Sequence, residues 1–238
     1  MFRTLCVVAL LLPASAWGIT PFANNLTVRL VVTGGPSGKQ IQETEYWTGT
    51  KRISDTAHKR MIVDFEKKTL TTIYKESKAF SVQTFEDIRQ LQEGMKQRLN
   101  NLPPQMQSQL NTGAPPVEVR ATGKSQQLLG YEIKEYSLQG PLTGSVWVAE
   151  SVEVAPAAQE FAQLVRQMGD PTSPGRQLAE GLAQIKGLPL KMSISSPGGP
   201  NKIVTNTEAV EISDKPPPAG LLEIPEGYVK AEVPKLSQ

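Results

Sequence analysis

The sequence predicts an α+β fold, an antiparallel sheet with two inserted helix blocks packed on one side. Three observations lead to it. Short segments with apolar residues at every second position are separated by Gly- and Pro-rich turns, as hairpin-linked strands require. Twice along the chain the apolar period changes from two to 3.6, and each time it stays changed for a block of residues before strands resume. Regular strand–helix alternation is missing, which argues against a parallel doubly wound sheet.

The elements follow in order. Leu26, Val28, Leu30 and Val32 alternate with polar or smaller neighbours in a half-buried strand, broken by the turn Gly34–Lys39, after which Gln40–Trp47 pairs back. Lys59–Phe65 sets Met61, Val63 and Phe65 on one face, and Thr69–Tyr74 and Ala79–Gln83 complete a meander. Phe85, Ile88, Leu91, Met95 and Leu99 then share one side of a helix, with Thr84 as its N-cap and Asp87 as the capping-box acid, ending before Pro103-Pro104. A short helix over Pro104–Leu110 follows. Strands are expected at Val117–Thr122, Tyr131–Leu138 and Ser145–Ala149, then helices at Pro156–Met168 and Pro174–Ile185, each with Pro near its first turn. Gly187–Ser196 and Lys202–Ile212 form a last hairpin. The expected organisation is a leader over 1–16, one strand-rich domain over 17–215 and an extended Pro-rich segment over 216–238.

The leader is read from Arg3, the apolar run Leu5–Leu12 and the small-residue end Ala14-Ser15-Ala16, the order of a cleavable signal peptide. The run is shorter than the roughly 20 apolar residues that span a bilayer, so no transmembrane anchor is expected in the mature chain. Cys6 is the only cysteine and lies in the leader, so disulfides, thiol nucleophiles and Cys–metal sites are not expected after cleavage. The formal net charge of +2 falls to +1 when Arg3 is lost, and so balanced a chain does not suit nucleic acid, whose binders carry a basic stripe.

No motif demands chemistry. Gly34–Gln40 is superficially like a phosphate-binding loop, yet the spacing is one residue short and a strand follows where a helix is needed. His58 is the single histidine, in a polar stretch beside Lys59 and Arg60, and reads as a solvated loop residue; no G-x-S-x-G elbow accompanies it. Glu43 and Glu45, two apart on one strand, share a face and read as a charged solvent face or as edge-strand protection. No catalytic residue, metal or cofactor is expected. Trp47, Trp147, Tyr131 and Tyr136 fall in strands, where aromatic residues serve cross-strand packing. An apolar sheet face only partly filled by helices would instead leave a cavity for a hydrophobic ligand. Its candidate lining is Val28, Leu30, Met61, Val63, Phe85, Ile88, Leu91 and Trp147.

Four stretches carry a resemblance: Met61–Phe65 through Lys67-Lys68-Thr69 to Phe80-Ser81-Val82 and Thr84-Phe85; Gly130–Tyr136; Val146–Ala149; and Ile224–Tyr228. Together they resemble the exported bacterial family known as domain of unknown function 4412. That family looks like the periplasmic carriers of outer-membrane lipoproteins, which implies a sheet curled into a half-barrel with helices over its concave side. A cysteine common in the family between the two tyrosines of the second stretch is Ile133 here, and no catalytic residues carry over. The expectation is a non-enzymatic periplasmic protein of a Gram-negative bacterium, binding or carrying a lipid, a lipid-modified protein or another hydrophobic moiety. The alternative is a structural or protein-interaction module of the cell envelope with a filled core.

Overall fold

The computed structural model describes residues 25–35, 38–103, 117–152, 174–198 and 201–231. The expected leader and the expected helices at Pro104–Leu110 and Pro156–Met168 lie outside them. Strands β1 (Asn25–Gly34), β2 (Ile41–Thr48), β3 (Lys51–Thr56), β4 (Lys59–Asp64), β5 (Thr69–Tyr74) and β6 (Ala79–Thr84) precede helix α1 (Phe85–Asn100). Then come β7 (Glu118–Leu128), β8 (Tyr131–Gln139), β9 (Thr143–Ala149), helix α2 (Pro174–Leu182), β10 (Leu188–Gly198), β11 (Asn201–Ser213) and β12 (Val229–Lys230). They form one sheet in the order β12-β6-β5-β4-β3-β2-β1-β11-β10-β9-β8-β7.

Two meanders meet at a seam. β1 to β6 step outward to one edge, β7 to β11 step inward from the other, and β11 pairs with β1 from Thr27↔Ser213 to Gly34↔Thr205. Every pairing is antiparallel except that of β12 with β6. The sheet is not closed. The α+β label with two helix blocks overstates the helical share: among the described residues this is a mostly antiparallel sheet with two helices, because most of the chain keeps a period of two.

Alternation and register set Leu26, Val28, Leu30, Val63, Leu70, Met192 and Val146 on one face, and both helices pack there. Phe85 and Ile88 of α1 meet Val63, Phe65 and Leu70, with the Phe65 and Phe85 rings edge to face at 6.5 Å. Leu178 and Leu182 of α2 meet Leu138, Val146 and Val148. On the opposite face Ile53, Ile62 and Ile73 are covered by Leu221 and Tyr228. The C-terminal segment that brings those two residues is tied down at three points. Val229 N–H donates to the Lys78 carbonyl (2.9 Å), Ala231 N–H to that of Phe80 (2.7 Å), and the Arg60 guanidinium to that of Leu221 (3.3 Å).

The start of α1 follows from the sequence. Asp87 N–H donates to Thr84 Oγ1 (3.0 Å) while Thr84 N–H donates to Asp87 Oδ2 (2.8 Å), a reciprocal capping box that satisfies two otherwise orphaned donors. Thr84→Ala is expected to lower stability by about 1 kcal/mol in urea denaturation. An unchanged midpoint would show the cap to be idle.

Candidate binding face

The helix-bearing face is chemically mixed at the middle of the sheet. Pairing of β2 with β1 and β3 aligns Glu43 with Leu30 and Thr56, Glu45 with Val28 and Ser54, and Trp47 with Leu26 and Arg52. Glu43 and Glu45 therefore stand on the same face as Val28 and Val63, half-buried, and β2 is an inner strand. The expectation of a solvent face or edge protection for them is corrected by that register. The Arg52 guanidinium donates to Glu45 and lies over the Trp47 ring at 5.1 Å, and Trp47 Nε1–H donates to Glu45 Oε2 (3.1 Å). Ser54 Oγ–H donates to Glu43.

Beside these polar groups runs a mostly apolar row. Ile41, Val32, Thr207, Met192, Val146 and Tyr136 are successive cross-strand neighbours on β2, β1, β11, β10, β9 and β8. Val146 is buried, Ile41 is exposed and the others are half-buried. Among the described residues α1 packs on Val63 and Leu70 of β4 and β5, and α2 on Leu138, Val146 and Val148 of β8 and β9, so Glu43, Glu45, Ile41 and Val32 lie between the two helices while Met192, Val146 and Tyr136 border α2.

The residues expected to line a cavity divide. Val28, with Leu30 and Trp147 at its margin, belongs to a cluster with Leu26, Trp47, Leu190 and Ala209. Val63 and Ile88, with Met61 and Phe85 at their margin, form a second cluster, and Leu91 is half-buried on α1. Val28, Val63 and Ile88 are enclosed by other side chains; Leu30, Met61, Phe85, Leu91 and Trp147 are half-buried. Trp147 projects from the opposite face of β9 to Val146 and Val148. Ile133 is fully buried. Arg52 and Ser54 escape the sequence reading because β3 lies in what reads as a polar connection; the alternation of Arg52, Ser54 and Thr56 with Ile53 is the available signal.

Two further polar sites lie apart. His58 is exposed and its Nδ1 is 2.6 Å from Glu76 Oε1. At the other end of the sheet Glu150 accepts hydrogen bonds from the Tyr136 hydroxyl and from Lys134 Nζ (2.6 Å). The hydrogen bond to Glu150, reinforced by burial, pushes the Tyr136 phenol up to about 12, and Lys134 with Tyr136 holds the Glu150 carboxyl below its usual range. Because the phenol is harder to ionise in the folded chain, its contribution to stability is present below pH 10 and is lost as the pH rises through 12. Ultraviolet titration of the tyrosines is expected to lose its highest step in Tyr136→Phe and to show that step lowered in Glu150→Gln. A wild-type curve with every tyrosine near 10 would refute the arrangement.

Among the described residues this architecture defines a class of protein: an open, mostly antiparallel twelve-strand sheet with helices on one face. The chain belongs to the family described as domain of unknown function DUF4412, whose sequence profile matches residues 37–228. Among solved structures it is similar to an uncharacterised conserved protein from Thermus thermophilus, at 8% identity over 87% of this chain and 90% of that one, with a TM-score of 0.46. It is similar to PNGF-II at 11% identity over 87% of this chain, with a TM-score of 0.41, and spans 31% of PNGF-II. It is similar to MucB at 9% identity over 84% of this chain and 57% of that one, with a TM-score of 0.39. No curated protein matches it in sequence. Among the described residues no helix is long and apolar enough to cross a membrane.

Proposed function

We propose that this domain binds or carries a hydrophobic moiety, a lipid or the acyl part of a lipid-modified protein, and catalyses no reaction. The leader-like N-terminus supports placing it outside the cytoplasm, in the periplasm of a Gram-negative cell. The observation that carries the reading is the partly exposed strip of Ile41, Val32, Thr207 and Met192, which runs from the gap between the helices to the margin of α2 on the face where both pack. Ile41, Val32 and Met192, apolar side chains left partly wet on either side of Thr207, favour an apolar ligand, at about 25 cal/mol for each Å² removed from water. In this reading Leu30 and the enclosed Val28 flank the strip on β1, and Met61, Val63, Phe85, Ile88 and Leu91 form a second apolar region under α1, across Glu43, Glu45 and Ser54.

The test is native mass spectrometry and lipid extraction on the protein purified from a periplasmic extract. One apolar molecule per chain is expected, and Val32→Arg is expected to abolish it while leaving the circular dichroism spectrum intact. A chain that arrives empty and takes up no fluorescent fatty-acid probe would sink the proposal.

A further inference from the structure

We infer that the ligand of this face is a lipid-like amphiphile with a cationic ammonium head, held by Glu43 with its chain along the row Ile41, Val32, Thr207 and Met192. This rests on the binding role proposed above and names its ligand class. Glu43 is half-buried, with Ile41 and Glu45 as its same-face neighbours along β2 and Leu30 and Thr56 across from it. The two carboxylates are not equivalent. Glu45 is answered by the Arg52 guanidinium and the Trp47 indole N–H, whereas among the described residues Glu43 takes the neutral Ser54 hydroxyl and no Lys or Arg pairs with it.

An apolar chain laid over the row would strip water from Glu43. Covering an ionised carboxylate without a countercharge is strongly unfavourable, and covering it with a hydrogen-bonding cation is not. An anionic head would bring repulsion from both glutamates at short range, with Arg52 already engaged. The same carboxylate therefore penalises fatty acids and favours an ammonium, so charge complementarity selects among molecules that the apolar row alone would accept.

The experiment uses the full mature chain and three probes below their micelle concentrations: dodecylammonium, dodecanoate and dodecyl maltoside, followed by calorimetry and tryptophan fluorescence. Wild type is expected to bind dodecylammonium at least tenfold more tightly than either other probe. Glu43→Gln, which keeps an acceptor for Ser54, is expected to reduce the ammonium to the level of the neutral maltoside. Glu43→Lys is expected to reverse the preference toward dodecanoate. Equal or tighter binding of dodecanoate by wild type, or an ammonium preference that survives both substitutions, would overturn the inference while leaving the apolar site standing. Tighter binding of a Lys-rich amphipathic peptide than of dodecylammonium would overturn the assignment to a lipid. Failure of all three probes would overturn the binding role itself, and the inference with it.

Discussion

A chain ended after Lys215 is expected to lose about 3–5 kcal/mol of stability and to aggregate on concentration. The removed segment carries Leu221 and Tyr228, which pack over Ile53, Ile62 and Ile73, now 0%, 6% and 1% exposed. Uncovering such side chains forfeits about 1.5–3 kcal/mol for each one fully exposed, less where neighbours close over the gap. It also strips β12 from β6, leaving the carbonyls of Lys78 and Phe80 without the N–H donors of Val229 and Ala231. A bare strand edge beside a fresh apolar patch is a template for association. Tyr228→Ala, which keeps the backbone tie, is expected to cost about 1–2 kcal/mol. Urea denaturation with light scattering measures both; a truncated chain with the wild-type midpoint would show that the segment is no part of the folded unit.

The second large effect is expected at Arg52. Arg52→Ala removes the cationic partner of Glu45, whose side chain is 16% exposed, together with the stacking over Trp47. Breaking a largely buried pair from one side leaves a charge short of its partner, and a loss of about 3 kcal/mol is expected. Arg52→Lys restores charge but not the planar fork, so about half the loss should remain. Combining Arg52→Met with Glu45→Gln removes both charges and is expected to recover most of it. A double-mutant cycle by urea denaturation gives the coupling directly, and a coupling below about 0.5 kcal/mol would show the pair to be effectively solvated.

Legibility in the sequence follows the range of the interactions. The alternation of Leu26, Val28, Leu30 and Val32 announces β1, and Thr84 with Asp87 announces the start of α1, because both signals are local. β3 is hidden because its helix-side positions are Arg52 and Ser54, polar residues that Glu45 and Glu43 on the next strand help to satisfy. β7 continues to Leu128 past Gly123, where the sequence suggests an end, because β8 supplies a ladder across the irregularity between Ala121 and Ser125. The glutamates illustrate the limit. Spacing shows that Glu43 and Glu45 share a face, but which face is fixed by pairing with Leu30 and Val28 and by the helices beyond. β12 and the covering role of Leu221 and Tyr228 likewise depend on partners more than a hundred residues away.

The seam between β1 and β11 also orders events in time. β1 finds β11 only when Thr205 to Ser213 are available to face Gly34 to Thr27, so one whole side of β1 has no partner until synthesis has passed Ser213. Closing so long a loop is slow compared with forming the hairpins on either side. The two meanders are therefore expected to form before they join, and until they do the side of β1 that will meet β11 is open to chaperones or to misassembly. In the exported role proposed above, late closure has a use: an unjoined sheet is easier to keep threadable than a finished one.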